Sequence, residues 1–237
     1  MKLHLLNTDI YVERRKQLAN AVAGGKILLL GNRESSVNFK DNWYPFRQDS
    51  TFLYFTGLNM PNLDLIIDAH SGVSTLYGDE LTMEDIIWTG PMPSLQEIAE
   101  RIGIHDVRPQ EKLSEELNEG VHFLPPYRPR HVARTSQLGS FSEELIEAII
   151  KQRNCKSAEE VASLHEACTR SNHMHYEVMS QTRSGMHEYE LVSIARSFGG
   201  RSNSNFGYLP ICTTKGHVLH NHSYDNILSS GDMVLLD

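Results

Sequence analysis

Lys156-Ser157-Ala158-Glu159-Glu160 divides the chain into two parts of different character. Ser157 followed three residues later by Glu160 is a capping box, in which hydroxyl and carboxylate each serve the other's backbone amide. A new helix therefore opens here. Behind it Val161, Leu164, Cys168, Ser171, His175 and Val178 recur every three or four positions. That spacing carries the helix to about residue 182, and Gly185 stops it. Before the capping box, apolar strand-like runs alternate with helical patterns, which argues for an α/β domain. After it come two helices, and short strands follow only from about residue 205. The expected domains are 1–153 and 154–237.

Working outward into the first part, Thr8 or Asp9 can cap a helix over 8–22, ended by Gly24-Gly25. Residues 26–31 read as a buried strand, and the aromatic run 51–57 as a second one. Residues 63–68 and 73–77 form an expected hairpin around His70-Ser71-Gly72. Leu95, Ile98, Ala99 and Ile102 mark a helix that Gly103 ends. A short helix over 112–118, a strand over 121–124 and a helix over 141–153, capped by Ser140 or Ser142, complete this part. In the second part, a helix over 187–198 should end at Gly199-Gly200. Strands are expected over 208–213, 217–220 and 233–237. No internal repeat is visible.

The chain has 237 residues, 40% hydrophobic and 22% charged, which describes a folded protein. A formal net charge of −8 with no basic block excludes non-specific nucleic-acid binding. No apolar stretch approaches a membrane span. Met1-Lys2-Leu3-His4-Leu5-Leu6-Asn7 is too short and too quickly polar for a signal peptide, so a cytoplasmic location is expected. The three cysteines, Cys155, Cys168 and Cys212, are widely spaced and read as ordinary reduced thiols.

Three segments could carry chemistry. In residues 45–57, Arg47 and Asp49 sit two apart before the aromatic run, either as a solvated pair at a turn or as a loop offered to a subunit or substrate. In Gly216-His217-Val218-Leu219-His220-Asn221-His222, a strand would place His220 and His222 on one face. Such a pair can ligate a metal, contact a substrate carbonyl, or simply end a polar strand. His173 and His175 are two apart on a helix and cannot chelate together; His175 lies on the apolar stripe as an expected core histidine. Asp237 follows Gly231-Asp232-Met233-Val234-Leu235-Leu236, a turn and then a buried strand. A desolvated carboxylate there needs a partner or a metal.

Pro45-Phe46-Arg47-Gln48-Asp49-Ser50 with Tyr54 and Thr56-Gly57 resembles the N-terminal domain of Xaa-Pro aminopeptidases (aminopeptidase P). Lys156-Ser157-Ala158-Glu159-Glu160 is similar to that family's catalytic-domain opening. Arg183-Ser184-Gly185-Met186-His187-Glu188-Tyr189-Glu190-Leu191, Val218-Leu219-His220 and the stretch ending in Asp237 also resemble its motifs, in the same order.

The resemblance implies an N-terminal creatinase/aminopeptidase-P-like α/β domain followed by a truncated pita-bread (α+β) domain. It implies a two-metal centre, usually manganese, held by two Asp, one His and two Glu. Asp237 matches the first Asp of that set, and His220 matches a histidine that contacts substrate near the scissile bond. The implied reaction removes an N-terminal residue preceding proline. Peptides with proline second are the implied partners, and a homo-oligomer, dimer or higher, is expected. With one ligand of five, this stretch alone is expected to hold no stable metal and to be inactive. Prolidase (Xaa-Pro dipeptidase), a non-catalytic pita-bread peptide- or protein-binding module, and a creatinase-like metal-independent hydrolase are the alternatives.

Overall fold

Lys26–Leu30 forms the first strand, β1, and its alternation organises everything before residue 156. Ile27 and Leu29 face one side of the sheet, Leu28 the other, and all three are buried. A strand buried on both faces sits inside a layered domain. The computed structural model describes residues 5–201, 204–221 and 223–237. The chain divides into two compact units, Met1–Cys155 and Lys156–Asp237.

The first unit opens with helix α1 (Thr8–Ala21), capped by Asn7, whose side chain accepts from the Asp9 amide. The cap was expected one or two residues later. After β1 come α2 (Ser50–Thr56), β2 (Asp64–Asp68), β3 (Ser74–Tyr77), α3 (Met83–Thr89), α4 (Leu95–Glu100) and β4 (Asp106–Arg108). Then follow α5 (Leu113–Glu116), β5 (Val121–Phe123), α6 (Pro129–Thr135) and α7 (Glu143–Asn154). The sheet order is β4-β3-β2-β1-β5. β1–β2 and β2–β3 are antiparallel, while β1–β5 and β3–β4 are parallel. The expected hairpin is β2–β3. Its turn is set by Asp68, whose Oδ1 accepts from the amides of His70 and Ser71.

One face of the sheet, through Ile27, Leu29, Leu65, Ile67 and Leu76, packs against α1, α2, α4 and α7. The other joins Leu28, Ile66 and Tyr77 to Leu113, Val121 and Phe123. Arg15 of α1 is buried inside this unit. Its guanidinium donates to the carbonyls of Phe55 (2.9 Å), Ile102 (2.6 Å) and Gly103 (3.2 Å), and burial lowers its pKa to about 10.

Residues 50–56 are helical, not the strand expected from their aromatic content. Local caps override that propensity. Asp49 Oδ1 accepts from the amides of Thr51 and Phe52, both at 2.9 Å. At the other end Gly57 adopts φ 71°, and its N–H donates to the Leu53 carbonyl. A Cβ on Gly57 would lie 2.3 Å from the Tyr11 hydroxyl, so glycine is required for space as well as conformation. Phe52, Phe55 and Thr56 then face inward. Gln48 fixes the entry: its Oε1 accepts from the Asn32 amide (2.6 Å), and its Nε2 donates to the Met60 carbonyl (2.7 Å).

The second unit opens with α8 (Ala158–Gln181), and the Ser157–Glu160 capping box is formed. α9 (Glu188–Arg201) follows. It continues through Gly199-Gly200 instead of ending there, because glycine weakens a helix without forbidding it. Two-residue strands β6 (Cys212–Thr213) and β7 (Leu235–Leu236) pair antiparallel. The core is Val178, Leu191, Val192, Ala195, Cys212 and Leu228. The expected apolar stripe of α8 is buried only at Val178; Val161 is 42% and Leu164 51% exposed. His175 is half-buried.

Candidate active site

β7 ends at Leu236, and Asp237 continues its ladder: its N–H and C=O exchange hydrogen bonds with Ile211, both at 2.8 Å. The carboxylate is exposed, not desolvated as the apolar run before it suggested, because Met233 and Leu235 are themselves exposed. Tyr208 Oη donates to Asp237 Oδ1 at 2.5 Å. That bond, the largest cause, raises the phenol's pKa and keeps it protonated as a donor.

His220 lies in a turn spanning residues 216–220, not in a strand, and is exposed. The Val218 amide donates to the Lys215 carbonyl within that turn. The alternating face that would pair His220 with His222 therefore does not form, and His222 lies outside the described residues. What ties the turn down is its neighbour: Asn221 Nδ2 donates to Thr213 Oγ1 at 2.9 Å. His220 and Asp237 thus hang from the same short segment, 211–213, one through a side-chain bond and the other through the β6–β7 ladder. A cleft of about 390 Å³ lined by Glu166, Arg170, Asn205 and Phe206 includes neither of them.

Tyr208 and Glu188 carry roles that the sequence reading did not assign. Glu188 is fully buried and accepts from Thr214 and Asn226. A carboxylate at a helix start normally reads as a dipole or cap residue. The signal that Glu188 does something else is Glu190, whose Oε2 already accepts from the His187 amide at 2.7 Å.

Residues 11–122 match the model described as aminopeptidase P, N-terminal domain, and residues 162–237 match metallopeptidase family M24. The second part of the chain is thus similar to metallopeptidase family M24. Human Xaa-Pro dipeptidase is 26% identical over all of this chain and 52% of the relative. A probable Xaa-Pro aminopeptidase of Fusarium vanettenii is 29% identical over 74% of this chain and 39% of the relative. Aminopeptidase P of E. coli, solved with the inhibitor Pro-Leu, has a TM-score of 0.84 at 23% identity, covering 98% of this chain and 58% of that one. Proline aminopeptidase P II of Yersinia pestis gives 0.83 at 24% identity, covering 98% and 59%. The chain therefore has the aminopeptidase P fold, with an N-terminal domain and part of an M24 domain. It spans about half the length of its human relative.

M24 members are metallopeptidases, so the donors present can be tested against a metal centre. Asp237 fits a single ligand: it is an exposed carboxylate, held through one oxygen by Tyr208. The set as a whole does not fit a two-metal centre. Among the described residues no three His, Cys, Asp or Glu side chains converge to hold a cation. Also among them, no helix is long and apolar enough to cross a membrane.

Proposed function

We propose that these residues belong to a metal-dependent Xaa-Pro aminopeptidase that releases the N-terminal residue preceding proline. The observation that carries this reading is order: an aminopeptidase P N-terminal match over residues 11–122 followed by an M24 match over residues 162–237. The scissile bond is a tertiary amide with no N–H to recognise. Selection must then rest on the shape of a proline pocket and on binding the free amine. Asp237 is the proposed metal ligand and His220 the proposed substrate-contacting residue. What supports these roles is that the Tyr208 hydroxyl donates to the Asp237 carboxylate and that the His220 imidazole is exposed. Manganese is the proposed metal, as a pair. The 237 residues by themselves are proposed to be inactive.

A homo-oligomer belongs to the same proposal. Helix α3 buries no residue, and it exposes Met83 (73%), Ile87 (77%) and Trp88 (81%). An apolar face of that kind marks an interaction surface. A cytoplasmic location is supported by three free cysteines.

The second reading, prolidase, is favoured by the alignment of all of this chain with 52% of human Xaa-Pro dipeptidase. The complete protein, loaded with manganese, is assayed on an Xaa-Pro dipeptide, an Xaa-Pro-Xaa tripeptide and its Xaa-Ala-Xaa counterpart. Release of the first residue from the proline tripeptide alone is the expected outcome. Cleavage of the dipeptide alone selects prolidase. Equal cleavage of the alanine peptide sinks both readings, and saturable peptide binding without turnover selects the binding module.

A further inference from the structure

Glu188 begins α9, yet none of its side-chain bonds serves that helix. Its Oε1 accepts from the Thr214 amide (2.6 Å), the Thr214 hydroxyl (3.2 Å) and Asn226 Nδ2 (3.1 Å), and its Oε2 accepts from Asn226 Nδ2 (3.0 Å). The Glu188 amide in turn donates to the Asn226 carbonyl at 3.0 Å. A carboxylate with no exposed surface is tolerated only when its lone pairs are satisfied, and here loops 26 and 38 residues away satisfy them.

We propose that Glu188 is a positioning residue that sets the segment 211–214 and, through it, both His220 and Asp237. The proposal rests on the peptidase reading for the importance of those two residues. Two routes lead out from Thr214. On one, Thr213 and Cys212 pair with Leu235 and Leu236, and the Ile211–Asp237 exchange closes the ladder beside the carboxylate. On the other, Thr213 Oγ1 accepts from the Lys215 amide (3.0 Å) and from Asn221 Nδ2 (2.9 Å), next to His220. Two strands of two residues cannot fix their own register; a buried anchor outside the ladder can. Burial first, and then nearby Glu188, push the Cys212 thiol's pKa up to about 11.

The test is residue-by-residue amide exchange and His220 ring resonances on the full chain. Glu188→Gln keeps shape but turns an NH2 group against that of Asn226. It should speed exchange at Ile211, Thr214 and Asp237 about tenfold and shift the His220 resonances, with Leu191 and Ala195 in α9 unchanged. Adding Asn226→Asp restores a donor–acceptor pair in reversed polarity and should return those rates to within about threefold of the original. A uniform acceleration through α9 makes Glu188 a stabiliser of the unit only and overturns the proposal. Unchanged rates at Ile211 and Asp237, or no rescue by Asn226→Asp, overturn it as well. Both variants are close to isosteric, so no cavity confounds the result. Asp237→Asn and His220→Ala, assayed in the complete protein for manganese binding and turnover, test the peptidase reading separately. If they are silent while the exchange pattern holds, the clasp stands and that reading falls.

Discussion

The two units reach order by different means. In the first, a five-stranded sheet is covered on both faces, and α2, seven residues long, buries Phe52, Phe55 and Thr56. In the second, α8 is 24 residues long and buries only Val178. Order there rests on polar clasps around a small core: Glu188 with Thr214 and Asn226, Thr213 with Asn221, Tyr208 with Asp237. Apolar burial scales with area and forgives small shifts, whereas a buried polar contact fails when one partner is removed. The first unit is accordingly the scaffold, and the second is where single polar substitutions should have local consequences.

The largest effect should come from the first unit's core. Phe52→Ala is expected to cost about 3–5 kcal/mol in denaturant unfolding, while Leu164→Ala on α8 stays within about 0.5 kcal/mol. Equal costs would erase the distinction between the units. Next, Asp49→Ala removes the α2 cap and one of the two acceptors of the Tyr127 hydroxyl (2.9 Å). A loss of about 1–2 kcal/mol is expected, and no loss would mean that packing alone makes residues 50–56 helical.

The smallest effect concerns Glu116, which accepts from Lys26 and Arg108. The Lys26 bond is the first cause holding its carboxyl below the usual value of 4.5. A depressed folded pKa gives stability that is present above 4.5 and lost as pH falls through the lower folded value. Glu116→Gln should remove that slope, worth about 1 kcal/mol or less, from acid titrations of unfolding. A slope that persists in the variant assigns it to another carboxylate.

What was legible in the sequence was local. β1, the β2–β3 hairpin and the Ser157–Glu160 box are each specified by neighbours a few residues apart. Residues 51–56 misled because their aromatic content favours strands, while the deciding caps, Asp49 and Gly57, lie just outside the run. Gly199-Gly200 did not end α9, since glycine weakens a helix without forbidding it. The turn at 216–220 was misread because alternating histidines imitate a strand. Asp237 could be singled out by its place at the end of an apolar run. Its partner Tyr208 lies 29 residues away and Glu188's donor Thr214 lies 26 away, distances over which no periodicity speaks.

Arg15 also has a temporal consequence. Its carbonyl partners at Phe55 and Ile102 are 40 and 87 residues further along the chain. During synthesis both partners are made after α1, and at cellular elongation rates Ile102 follows Arg15 by on the order of ten seconds. Until Ile102 is made, Arg15 lacks one of the carbonyls that its buried position requires. A guanidinium is costly to bury without its acceptors, so α1 is expected to dock fully only after residues 102–103 have been made.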